Sequence, residues 1–136
     1  LTFGIADDRI IMPGFIDNIY EFYKAMDMFL LPSRSEGFSL ALLEAAASRL
    51  PIIASDIPGN DEFIEHKKNG FLFDLSKPEE LAQHILTLAN DRKLALEYGL
   101  LAEKKFKEEF ALERYSEKLN KFFDDGYSTF HKIKST

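Results

Sequence analysis

Short apolar runs bounded by Pro, Gly, Asp or Ser recur through the first half of the chain, at Arg9 to Pro13, Met28 to Pro32, Pro51 to Ser55 and Phe71 to Leu75. Each is apolar at successive positions instead of alternating, the pattern of a short strand buried on both faces. Between them the spacing turns helical. Ile19, Phe22, Tyr23 and Met26 form one apolar stripe, preceded by Asn18 and Glu21 in capping-box order. Leu40, Leu43, Glu44 and Ala47 predict a second helix entered from Gly37, Phe38 and Ser39, and a short third runs from Asp61 to about His66. From Ser76 the pattern is helix alone. Ser76 and Glu79 again stand in capping order ahead of Leu81, Ile85, Leu88 and Ala89. Asn90 and Asp91 break that helix and cap the next, which carries Leu94, Tyr98, Leu101, Ala102 and Phe106. A last helix from about Glu113 presents Tyr115, Leu119, Phe122, Phe123 and Phe130, with Gly126 as its weak point.

Strands alternating with helices imply parallel pairing through crossovers, hence a three-layer α/β fold followed by a helical tail. The 136 residues fit one domain, and 46% apolar residues with 13 Phe supply its core, which excludes intrinsic disorder. A net charge of -6 offers no basic face for a nucleic acid. The absence of Cys removes a disulfide framework, a thiolate metal site and a Cys nucleophile, and fits a reducing, cytoplasmic setting. No stretch approaches the roughly 20 apolar residues of a membrane-spanning helix. The chain opens Leu1-Thr2-Phe3-Gly4, without an initiator Met, and is expected to be part of a longer protein.

The chemistry concentrates between Leu31 and Glu44. This stretch follows a buried strand and opens a helix, so it lies where a parallel sheet forms its ligand crevice, at the carboxyl ends of the strands. A helix beginning near Ser39 leaves its first amides unpaired and carries positive partial charge, which suits an oxyanion such as a phosphate. Gly37, lacking a Cβ, lets a ligand approach the backbone. Glu36 and Glu44 bracket this end. A carboxylate repels phosphate, so the partners that suit the two are donors such as sugar hydroxyls.

Asp27, Leu31-Pro32-Ser33, Glu36-Gly37-Phe38, Glu44-Ala45, Pro51-Ile52-Ile53-Ala54 and Asn69-Gly70 together resemble the carboxyl-terminal donor-binding domain of retaining GT-B glycosyltransferases of family 4, the group 1 glycosyltransferases. The likeness runs from about Asp8 to Leu88, and its hallmark is a Glu, seven residues and a second Glu, here Glu36 and Glu44. It implies a Rossmann-like parallel sheet with helices on both faces. By the same resemblance Glu36 is the catalytic residue and contacts the donor sugar's hydroxyls, and Glu44 accepts from the nucleotide ribose. Gly37, Phe38, Ser39 and Leu40 offer backbone amides to the diphosphate and sugar, and the Ile16 backbone meets the nucleobase. The implied reaction moves a sugar from a nucleotide-diphosphate donor with retention at the anomeric carbon, using no cofactor and no essential metal. Asp7-Asp8 and Asp124-Asp125 read as solvated charges.

The sequence departs from that pattern twice. Where the family has a Gly closing the second helix, this chain has Ser48-Arg49-Leu50, so either Arg49 adopts positive φ or the turn differs. The family's first two strands of this domain, with their diphosphate-binding Arg and Lys, and its amino-terminal acceptor domain are missing. The 1–136 unit is therefore expected to be an incomplete carboxyl-terminal domain, inactive alone, whose first strand would have an absent neighbour, or else a chain that pairs unusually or assembles with another chain. An absent neighbour exposes an edge for self-association.

Other readings of these residues are weaker. His66, His84 and His131 lack metal-ligand spacing and read as surface residues; Ser33 and Ser35 lack a nucleophile elbow. The Tyr115 to Phe130 stripe reads as core, with peripheral membrane association of the full-length enzyme as its alternative, suggested by Lys118, Lys121, Lys132 and Lys134. If both were helical, Glu36 and Glu44 would lie about 12 Å apart, beyond the roughly 5 to 9.5 Å of a hydrolase pair. The alternative to the enzyme is a non-catalytic nucleotide-sugar-binding or assembly module of the same fold.

Overall fold

The computed structural model describes residues 10–37 and 39–110. In chain order it contains α1 (Ile19–Lys24), β1 (Phe29–Leu31), α2 (Leu40–Ala47), β2 (Ile52–Ser55), α3 (Asn60–Phe63), β3 (Phe71–Phe73), α4 (Pro78–Asn90) and α5 (Arg92–Lys105). A π-helical turn, Phe106–Phe110, extends α5. The strands lie side by side in the order β1, β2, β3, all parallel, with Phe29 opposite Ile52 and Ile53 opposite Phe71. Parallel neighbours cannot be joined by a tight turn, so α2 and α3 carry the crossovers.

The central β2 is buried at all four residues, which is why its sequence does not alternate. Successive side chains point to opposite faces. Ile52 and Ala54 pack with Tyr23, Leu42, Ala45 and Phe63 on one side, while Ile53 packs with Phe71, Phe73, Leu88 and Tyr98 on the other. Two apolar layers therefore sandwich the sheet, giving the Rossmann-like α/β arrangement expected, with helices on both faces.

The caps follow the sequence at three helices. Asn18 accepts from the Glu21 amide at 3.5 Å, Ser39 from the Leu42 amide at 3.4 Å, and Asp91 from the Leu94 amide at 2.9 Å. Ser76 does not cap α4. Its amide and hydroxyl donate instead to Asp74 Oδ1 at 2.8 and 2.7 Å, and the helix starts at Pro78, whose missing N–H and fixed φ suit the first turn. The third helix also stops early. Asn69 accepts from the Glu65 amide at 2.8 Å and donates to the Phe63 carbonyl at 3.0 Å, so its side chain takes the backbone bonds that a continuing helix would use.

The expected strand at Arg9 to Pro13 is absent from residues 10–13, and Arg9 lies outside the described residues. A strand exists through its ladder, and none of the three strands pairs with this segment. Ile11 and Met12 are consequently 81% and 91% exposed. The predicted helix from Glu113 through Phe130, and with it the membrane alternative, lies outside the described residues.

At the end of α2, Arg49 takes the first of its two alternatives, with φ 62°. The Leu50 amide donates to the Ala45 carbonyl at 3.1 Å and the Arg49 amide to that of Ala46 at 3.0 Å, which is the Schellman pairing that a left-handed residue closes. Helix α5 presses on this turn through Gly99, where a Cβ would stand 2.1 Å from the Arg49 carbonyl oxygen. Arg49 Nε then donates to Glu103 on α5 at 2.8 Å. Together with the Lys107 ammonium, the guanidinium holds the Glu103 carboxyl below the usual carboxylate range.

Two histidines occupy the outer side of β3. The Leu72 amide donates to His66 Nδ1 at 3.0 Å, and the half-buried His84 ring stacks on Phe71 at 4.2 Å, 5.6 Å from the His66 ring. His84 is thus part of the packing and not a free surface residue. Its burial, followed by the neighbouring His66, pushes its pKa below 6.5.

Gly99→Ala should destabilise the fold by about 3 kcal/mol through overpacking, whereas Arg49→Gly should raise the unfolding midpoint by relieving the left-handed turn; chemical denaturation reads both. Because the folded pKa of His84 is depressed, its contribution to stability is full above pH 6.5 and is lost as pH falls through the folded value. The denaturation midpoint should therefore drop more steeply from pH 7 to pH 5 in the wild type than in His84→Gln. That window lies above the titration of ordinary carboxylates.

Candidate functional site

The loop leaving β1 and the first turn of α2 form the region singled out by the sequence. Glu36 is half-buried just before the helix, Gly37 is exposed, Ser39 is buried as the N-cap, and Leu40 is 72% exposed at the first helical position. Glu44 is exposed one turn further on, and Ile16 is half-buried in the segment before α1. Phe38 lies outside the described residues. Ser39 satisfies the Leu42 amide, and its carbonyl accepts from Leu43 at 3.3 Å. The Leu40 and Ala41 amides precede any intrahelical acceptor. The first turn contains no acidic side chain, so its positive end is not neutralised from within the helix.

Each carboxylate is held by a hydroxyl. Ser33 Oγ donates to Glu36 Oε1 at 2.6 Å. Tyr23 Oη, reaching across from α1, donates to Glu44 Oε2 at 3.2 Å and lies 3.4 Å from the Ala41 carbonyl oxygen. Burial first, then the Glu44 charge and this hydrogen bond, push the Tyr23 hydroxyl up to about 12, so it remains a donor to the carboxylate through the neutral range.

The loop after β2 lies against the same region. A Cβ on Gly59, whose φ is 95°, would meet the Gly37 carbonyl oxygen at 2.6 Å and that of Glu36 at 3.1 Å. Gly59 is thus required by contact between the two loops. At Gly37 a Cβ would meet nothing within 4 Å, so packing leaves the space beside it open. Ser55 Oγ donates to the Ser33 carbonyl at 2.6 Å, and Asn60 Nδ2 donates to the Ser55 carbonyl at 3.0 Å and to its Oγ at 3.2 Å.

The sequence pattern did not single out Tyr23, Ser55, Gly59 or Asn60 for the site, and it gave Ser33 a place in the family resemblance but no role beside Glu36. The available signals were a Tyr among the Phe and Ile of an apolar stripe and a Ser ending a fully apolar strand. Each marks a hydroxyl that burial obliges to find a partner.

The Tyr23 environment yields a prediction for alkaline pH. A raised folded pKa contributes stability that is complete below 10 and lost as pH rises through about 12. Ultraviolet titration of wild type against Tyr23→Phe should resolve one phenol ionising near 12. Glu44→Gln should move that ionisation downward by removing the negative charge.

The family described as Glycosyl transferases group 1 matches residues 2–91. The lipopolysaccharide core biosynthesis mannosyltransferase LpcC of Rhizobium leguminosarum bv. viciae is 36% identical over 107 residues, covering 79% of this chain and 30% of that protein. The crystal structure of the carboxyl-terminal domain of a group 1 glycosyltransferase family protein, LpcC from Francisella tularensis, superposes with a TM-score of 0.71 at 29% identity, over 78% of this chain and 56% of that one. A TarM variant from S. aureus, solved with fondaparinux, alpha-GlcNAc-glycerol and UDP, gives a TM-score of 0.79 at 30% identity, over 85% of this chain and 24% of that one. The chain spans less than a third of the length of the curated relatives it matches. It belongs to the group 1 glycosyltransferases, and its parallel sheet with flanking helices is part of their GT-B fold.

Proposed function

We propose that this chain is the donor-binding part of a nucleotide-sugar-dependent glycosyltransferase that transfers its sugar with retention of anomeric configuration. The observation that supports the proposal is the amino-terminal turn of α2 following β1 of a parallel sheet, with Glu36 just before the helix and Glu44 within it. The Leu40 and Ala41 amides and the positive helix end suit the diphosphate, whose negative charge grows as the bond to the sugar breaks. Carboxylates beside that anion are useful only toward donors. Glu36 therefore accepts from sugar hydroxyls, as the catalytic residue, and Glu44 accepts from the ribose. Gly37, Phe38 and Ser39 contribute the rest of the backbone cradle, and the Ile16 backbone meets the base. UDP in the TarM complex is a ligand of the corresponding chemistry.

The acceptor site belongs to the remainder of the protein, in keeping with the share of its relatives that this chain covers. We place the enzyme in the cytoplasm. Among the described residues, no helix is long and apolar enough to cross a membrane.

Full-length protein incubated with UDP-glucose, UDP-N-acetylglucosamine and GDP-mannose should consume at least one donor. Glu36→Ala should lower the turnover number about 100-fold, the size of a lost transition-state contact. Glu44→Ala should weaken donor binding about 10-fold, as expected for one lost charge-assisted bond. Wild-type rates in both variants would sink the proposal, and tight donor binding with no consumption would favour a non-catalytic binding module.

A further inference from the structure

We infer that Ser55 and Ser33 form a hydrogen-bond relay whose task is to aim Glu36; the inference rests on the donor-binding proposal. Ser55 is fully buried at the carboxyl end of β2. A hydroxyl has a single proton to give, and two observations decide where this one goes. Asn60 Nδ2, itself buried, donates to Ser55 Oγ at 3.2 Å and so fills its acceptor side. Of the two carbonyls nearby, that of Ser33 lies at 2.6 Å and that of Leu31 at 3.3 Å. The proton therefore points to Ser33, and the peptide after Ser33 is tied to the strand beside it.

This fixes the backbone from which the Ser33 side chain projects. Ser33 Oγ then donates to Glu36 Oε1 at 2.6 Å, the length of a hydroxyl bonded to an ionised carboxylate. One oxygen of Glu36 is committed to the protein. Among the described residues no partner takes Oε2, which is left for a donor hydroxyl. Without Ser33, the carboxylate would be free to rotate about its last two torsions, and its contact with the sugar would be made in only a fraction of encounters. Ser33 and Ser55 touch no substrate in this scheme. They are positioning residues, and their whole effect passes through Glu36.

That dependence supplies the test. In the full-length protein, with the donors named above, Ser33→Ala should lower donor consumption about 10-fold, the lower end for a hydrogen bond to a charged group. Ser33→Thr, which retains the hydroxyl, should restore most of it. Affinity for UDP or GDP, which lack the transferred sugar that Glu36 contacts, should be unchanged by calorimetry. Adding Ser33→Ala to Glu36→Ala should cost nothing further, because the group it positions is gone. If Glu36→Ala is damaging but Ser33→Ala is silent, or lowers the rate equally in both backgrounds, the relay is wrong and the donor site stands. If Glu36→Ala is itself silent the relay has nothing to aim and falls, and if Glu44→Ala is silent as well the donor site falls with it. Ser55→Ala, read by the same cycle with its unfolding midpoint recorded, extends the test to the buried end, where additivity with Glu36→Ala would again overturn it.

Discussion

The burial of β2 on both faces and along both edges is the constraint on which the site depends. A strand enclosed by two neighbours and two helical layers can hold only apolar residues or polar ones that are satisfied within the protein. Parallel pairing with β1 and β3 sends the chain through crossovers, so the loops after β1 and β2 emerge at the same end of the sheet. There they touch. The Gly59 backbone stacks on the Glu36 and Gly37 carbonyls, leaving no volume for a side chain. Ser55, the one polar residue of β2, makes its shortest hydrogen bond to the Ser33 carbonyl, in the loop that carries Glu36.

A second clamp acts at the opposite end of α2. The left-handed Arg49 closes the helix with two backbone bonds, and α5 packs directly on that turn because Gly99 has no side chain. A non-Gly residue at positive φ costs on the order of 1 to 2 kcal/mol per residue. The turn keeps the strained residue because its bonds and the seating of α5 outweigh that cost. With its carboxyl end pinned by α5 and its amino end capped by Ser39, α2 has little freedom to swing. The direction of its first amides, and the position of Glu44 within it, are set by packing made elsewhere in the fold.

The parts of this arrangement legible in the sequence are the local ones. The apolar run of β2 stood out because both of its faces are buried, those of β1 and β3 because they are apolar throughout even where Leu30 stays exposed, and Asn18, Ser39 and Asp91 announced helix starts through bonds made within three residues. Where two local solutions competed, sequence reasoning chose wrongly. Ser76 had the spacing of a cap, but Asp74 lies nearer and Pro78 needs no capping partner. Residues 10–13 have the composition of a strand, yet pairing depends on a neighbour rather than on composition. The site divided in the same way. Glu36 and Glu44 were visible through spacing and context, while Tyr23 and Ser55 act across separations of 21 and 22 residues, which no local pattern encodes.

On the proposed function, electrostatics asks for more positive charge than the end of α2 supplies. The amino-terminal end of a helix is equivalent to roughly half an elementary charge, and its effect fades within a turn. A nucleoside diphosphate sugar carries about two negative charges, beside which the proposed site sets Glu36 and Glu44 in a chain of net charge -6. Helix amides can orient such an anion but cannot neutralise it. On the proposed function, cationic side chains must therefore join the helix end, and the donor would be gripped between two sources of charge. The residues of this chain would then supply direction more than affinity. That division favours catalysis, since fixed dipoles aimed at a growing charge stabilise the transition state more than the resting donor.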